Sequence, residues 1–179
     1  MEIRLRLSPL TLGIAVYIIV SGFFMRQVLG FLQEQIGRPA IGWSLWILLA
    51  AGAAAVAWHL WSTRPGAARV MVFLLLLAAG FLFAARMKIT EERFHLIKFG
   101  LLGWLVYSDI ILPKNPFLRL LPALFFCLAV GAVDEIFQFY NPLRVGDIRD
   151  VLFAGIGGLW GAGLYLTAVK EKGKILGSN

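Results

Sequence analysis

The stretch VMVFLLLLAAGFLFAA, Val70–Ala85, is sixteen consecutive apolar or small residues without a charge or a proline. As a helix it rises about 24 Å at about 1.5 Å per residue, close to the roughly 30 Å of hydrocarbon in a bilayer. A half-buried strand would alternate polar with apolar residues, whereas a continuous run selects a helix that lipid can surround. Working outward, Leu10–Met25 and Ala40–Trp61 repeat the pattern toward the amino terminus. The chain of 179 residues is 60% hydrophobic and 15% charged, with a mean hydropathy of +0.81. That is more apolar surface than a water-soluble domain of this size could hide. The expected fold class is all-α, a polytopic membrane helix bundle of about six transmembrane helices, forming a single transmembrane domain over residues 1–179.

Toward the carboxyl terminus the segments are less uniform. Segment four, about Glu92–Leu112, begins in the charged stretch KITEERFHLIK; Thr90 is placed to cap it, Glu91 and Glu92 suit its first turn, and Pro113 stops it. Segment five opens at Asn115-Pro116, a cap followed by proline at the first helical position, and runs to about Tyr140, where Asn141-Pro142 marks a turn. Segment six starts near Asp147 or Asp150 and ends near Val169, ahead of the basic tail KEKGK. The opening MEIRLRLSP imitates a secretory signal, but no small-x-small cleavage site follows, so a retained first helix is expected.

Net charge is +7, from 17 Lys and Arg against 10 Asp and Glu. The basic residues are scattered between apolar segments, so membrane lipids rather than nucleic acid are the expected partners. With six crossings, Arg4, Arg6, Arg64, Arg69, Lys114, Arg119 and the three lysines of the tail share the amino-terminal side. This weak bias favours an amino terminus in the cytoplasm. Cys127, alone in LPALFFCLAV, reads as a small buried hydrophobe. Two histidines are too few for a histidine-rich metal site; a divalent ion would rest mostly on Asp134, Glu135, Asp147 and Asp150. Neither a metal nor a cofactor is expected.

An even count of crossings brings the start of segment four, the end of segment five and the start of segment six to one side. Those ends carry His95, then Asp134, Glu135 and Gln138, then Arg144, Asp147, Arg149 and Asp150. Asp134 and Gln138 are four apart and Glu135 and Gln138 three apart, so they form neighbouring faces of one helix end. A carboxylate facing lipid there costs a few kcal/mol, so it should point into the bundle, take a proton or find a basic partner. In the bland reading Asp147 and Asp150 cap a helix while Arg144 pairs with Glu135. In the sharper one the layer is a polar pocket for an amphiphile's head group. His95, Glu135 and Asp150 are then the catalytic candidates that handle a proton. Asp134, Gln138, Arg144 and Asp147 are the ligand-binding ones, with Arg144 as a bidentate anion contact.

The run DEIFQFYNPLRVGDIRDVLFAGIGG, Asp134 to Gly158, resembles the VanZ-like membrane proteins, whose signature reads approximately D-E-x-x-Q, then R, then D, and D-x-x-x-N-x-x-G. Asp134, Glu135, Gln138, Arg144, Asp147, Asp150 and Gly157 fall on that pattern, and His95 matches an upstream histidine of the family. Ala154 stands where the family has asparagine, which puts ligand binding by that amide in doubt. The VanZ-like region covers about 92–161, and the first three segments carry no motif that matches. The resemblance implies a bacterial envelope protein of the cytoplasmic (inner) membrane, since the founding member confers antibiotic resistance of the teicoplanin kind. It supplies no reaction, and whether this is an enzyme stays open.

Gly157 and Gly161 make a G-x-x-x-G for tight packing inside the bundle or, alternatively, for a homodimer face. The six tryptophans mostly suit interfacial belts. Three functions compete. One is lipid binding, recognition and transformation of a lipid or lipid-linked head group, the partner being an envelope precursor or an amphiphilic antibiotic. Another is an accessory subunit of a membrane complex whose polar cluster fixes helix packing. The third is a proton-coupled transporter or flippase, against which stands the lack of matched interrupted helices in the two halves.

Overall fold

The computed structural model describes residues 4–63, 66–87, 90–112, 115–140 and 147–169. They form α1 (Pro9–Ile36), α2 (Arg38–Thr63), α3 (Ala67–Arg86), α4 (Thr90–Asp109), α5 (Leu120–Phe139) and α6 (Ile148–Ala168), with a 3-10 turn at Phe117–Arg119 leading into α5. Two short strands, β1 (Arg4–Leu5) and β2 (Ile110–Leu112), pair antiparallel and tie the chain's beginning to the end of α4. The architecture is an all-α bundle with its large apolar side chains turned outward, among them Val16, Phe31, Ile47, Leu75 and Phe125. The proposed Pro113 stop, the Asn141-Pro142 turn and the basic tail lie outside the described residues, as does the side chain of Thr90.

By length and apolarity α2, α3, α6 and α5 with its leading turn each suffice to cross a membrane, and α1 does so as a pair bent by 63° between Pro9–Met25 and Gln27–Ile36. The bend falls where the apolar run of segment one ends. A straight helix of 28 residues would exceed the hydrocarbon thickness at about 1.5 Å per residue. Gly37 closes α1 at φ 83, a backbone region that disfavours a side chain, and its N–H reaches Gln33 O at 3.0 Å.

Helix α4 is too polar to meet the same measure, and its position explains why that is tolerated. It packs against α1, α3, α5 and α6, burying His95, Leu96, Phe99, Leu102, Val106 and Tyr107. A helix walled by protein need not be apolar all round. It nonetheless runs the depth of the bundle. His95 lies near the end of α5 and the start of α6, whereas Asp109 accepts hydrogen bonds from the Ser8 N–H (2.7 Å) and the Thr11 hydroxyl (2.6 Å) at the start of α1. Nearby, the Tyr107 hydroxyl donates to Pro116 O at 2.9 Å.

Glycine lets α6 approach α4. A Cβ on Gly161 would strike the Gly100 carbonyl, and one on Gly103 the Gly158 carbonyl. The G-x-x-x-G is therefore used inside the bundle and not on a dimer face. Trp160 leaves the belt expected of it: its ring fills a notch made by Gly80 of α3 and Gly100 of α4, and its N–H donates to Leu76 O at 2.8 Å. Trp43, Trp58 and Trp61 do face outward from α2.

Candidate functional site

Three helices carry a stripe of buried residues at helical spacing, and each stripe ends in polar groups at the same level. On α5 the stripe is Ala123, Cys127, Val130 and Gly131, continued by Asp134, Glu135 and Gln138. On α4 Phe99, Leu102 and Val106 are preceded one turn earlier by His95. On α6 Ala154, Gly157, Gly158 and Gly161 are preceded by the half-buried Asp150. The polar residues are therefore inward because they continue faces that the core already holds inward.

Asp134 is 0% exposed, Gln138 1%, His95 5% and Glu135 9%. His95 Nε2 lies 3.4 Å from Asp134 Oδ2, within ion-pair reach if the ring is protonated, but without the geometry of a hydrogen bond. Among the described residues, both carboxylate oxygens of Asp134, both amide atoms of Gln138 and Oε1 of Glu135 have no hydrogen-bond partner. Asp134 and Gln138 are sealed by α1, where a Cβ on Gly22 would overlap Asp134 Oδ1. Sequence reasoning missed Gly22, since nothing local to it speaks of an acid more than a hundred positions away. Below the layer, Phe99 stacks on His95 (centroids 5.6 Å apart), and a Cβ on Gly131 would meet that of Ala154.

Glu135 does not hang free. Its Oε2 accepts the Asp147 N–H at 2.9 Å, which joins the end of α5 to the start of α6. Asp147 thus gives the layer its backbone, while its carboxylate caps α6 by accepting the Arg149 N–H (2.9 Å) and the Arg149 guanidinium (2.8 Å to Nε, 2.7 Å to the terminal nitrogen). Those hydrogen bonds hold the Asp147 carboxyl below the usual carboxylate range. Asp150 donates its own N–H to Asp147 O at 2.9 Å and sits in the first turn. One donor atom each from His95, Glu135 and Asp150 lies within 4.8 Å of the other two. Arg144, the anion contact expected from the sequence, lies outside the described residues.

The model of the VanZ/LLP1 family matches residues 9–169, from the first residue of α1 to the residue after α6. The chain belongs to the VanZ/LLP1 family. It is thus a membrane protein of the VanZ-like kind, and the match reaches well beyond the motif of 92–161. Helices α1, α2 and α3, which carry no motif that the sequence reading could match, are part of what the family shares. No curated protein and no solved structure matches the chain. In VanZ/LLP1 terms, the one departure from the signature, Ala154, lies fully buried one turn below Asp150.

Proposed function

We propose that this VanZ-like envelope protein uses the layer of His95, Asp134, Glu135, Gln138 and Asp150 to recognise the polar head group of a lipid or lipid-linked envelope precursor. The observation that carries the reading is the set of buried atoms on Asp134, Glu135 and Gln138 that have no hydrogen-bond partner among the described residues. Each such group costs about 1–3 kcal/mol, more if charged, and intramembrane ionisable residues are kept where they bind or move something. The partial exposure of Asp150 and Asp147 supports a mouth at the rim of this layer. An apolar cleft of about 400 Å³ lined by Pro39, Gly42, Trp43 and Trp46 offers room for an acyl chain. It adjoins the same end of α4, since Arg93 stands over the Trp46 ring at 5.8 Å.

Arg144 is the candidate anion contact, and His95 beside Glu135 is the pair equipped for acid-base work on a bound head group. The site is read as facing outward from the cytoplasmic membrane, with the amino terminus inside. The test is Glu135→Ala and Arg144→Ala, made separately, with bound lipid measured by native mass spectrometry on folded protein. Both variants are expected to lose the lipid, and unchanged lipid retention in both removes the reading. A second reading, an accessory subunit in which the layer fixes helix register, draws on the Glu135 to Asp147 bond and the Gly22 contact. It expects the same variants to lose thermal stability while no lipid is found in the wild type.

A further inference from the structure

We propose that His95, Glu135 and Asp150 together bind one divalent first-row transition cation, of the Zn²⁺ or Mn²⁺ class, at the mouth of this layer. The three come from α4, α5 and α6, and their donor atoms already lie within 4.8 Å of one another. With metal bonds of about 2.0–2.2 Å, donors sharing an ion stand roughly 3–4 Å apart, so side-chain rotation closes the group. This trio differs from a four-carboxylate set. Asp147 spends its carboxylate on its own helix and on Arg149, and Asp134 is enclosed behind Gly22.

Charge points the same way. The layer concentrates the carboxyls of Asp134, Glu135 and Asp150 around one imidazole. Among the described residues, no lysine or arginine donates to either oxygen of Asp134 or to Glu135 Oε1. The basic neighbour Arg149 is turned onto Asp147 instead. A bound cation would balance such a buried, acid-rich group.

Two of the donors, Glu135 and His95, are also oriented by neighbours. Asp147 N–H fixes Oε2 of Glu135 and leaves Oε1 buried, without a hydrogen-bond partner among the described residues. The His95 ring is stacked on Phe99 and has Asp134 at 3.4 Å from Nε2, the kind of outer carboxylate that orients a metal-binding imidazole. An imidazole among the donors favours a transition cation over Mg²⁺ or Ca²⁺. Three protein donors leave a position open. Resting here on the head-group reading above, that position would take a phosphate oxygen of the lipid.

The test uses the full chain purified without chelator, its metals counted by mass spectrometry, then stripped with EDTA and titrated with Zn²⁺, Mn²⁺ and Co²⁺. Roughly one ion per chain is expected, with visible d–d absorption on Co²⁺ uptake. His95→Asn, Glu135→Gln and Asp150→Asn should each cut occupancy about tenfold or more, and Asp147→Asn should retain it. Should the variants fold poorly, the wild-type titration decides alone. Folded wild type that takes up none of the three ions overturns the proposal, as does occupancy unchanged in all three trio variants. Lipid retained by metal-refusing protein sinks the cation and leaves the head-group reading intact. Metal uptake in a protein that never holds lipid does the reverse.

Discussion

Asp134 is buried whole, carries two oxygens with no hydrogen-bond partner among the described residues, and rests against the backbone of α1 at Gly22. On the Gly22 side there is no room for another atom, so the residue opposite it is as constrained as the acid itself. Gly22→Ala should therefore cost about 1–3 kcal/mol through overpacking. Gly13→Ala on the same helix meets nothing within 4 Å and should be neutral or gain up to about 1 kcal/mol of helix propensity. Thermal unfolding of the two variants in one detergent checks this, and equal melting temperatures would remove the Gly22 contact from the account. Ala154 poses the complementary question. It is fully buried opposite Gly131, so restoring the family's asparagine adds volume and an amide to a closed space. Ala154→Asn should lose about 1–3 kcal/mol. A neutral result in the same assay would reveal room for that amide beneath the layer.

Between elements, the contact of α4 with α6 depends on the absence of side chains. Gly161→Ala drives a methyl into the Gly100 carbonyl, whereas a Cβ on Gly163 comes only to ordinary contact with Leu76. The first substitution should destabilise by about 1–3 kcal/mol more than the second, read as the difference in unfolding midpoint. The α6 cap adds a pH signature. Because the Asp147 carboxyl is held low by Arg149, its stabilisation is present above the ordinary carboxylate pKa of about 3.9 and is lost as pH falls through the lower folded value. The melting-temperature gap between wild type and Asp147→Asn should stay flat from neutral pH to about pH 5 and close below about pH 4; a gap that persists in acid would separate the cap from its charge. These elements also show what the sequence could carry. Apolar runs and caps near Asp147 were legible because they are local, and the common layer of His95, Glu135 and Asp150 followed from counting crossings. The notch for Trp160, the bend after Met25 and the seal by Gly22 were not, since each depends on a neighbour remote in the chain. The pairing of Arg144 with Glu135 falls outside the described residues, and the Asp147 N–H on Glu135 Oε2 is a backbone contact that the side-chain pattern could not announce.

At the scale of the whole molecule, the site exists only if α4 crosses the membrane, and α4 is the helix whose composition argues least for crossing. At its near end Arg93 donates to Ala84 O and Met87 O of α3's end, while its far end is tied through Asp109 to the start of α1 and through Tyr107 to Pro116. Hydropathy reports contact with lipid, which α4 largely avoids; depth is reported by those bonds at its two ends. Cysteine labelling in intact cells separates the two. Cys127 is buried and should stay silent, so single cysteines placed at exposed Arg86, Asn115 and Tyr140 can be read one by one with an impermeant reagent. Arg86→Cys and Tyr140→Cys should label together from outside, and Asn115→Cys only after permeabilisation. If Arg86 and Asn115 label from the same side, α4 does not cross, and His95 loses its place beside Glu135 and Asp150. If the pattern is intact but inverted, the crossings stand and the amino terminus is outside, which moves the mouth of the layer, and any head group it takes, to the cytoplasmic leaflet.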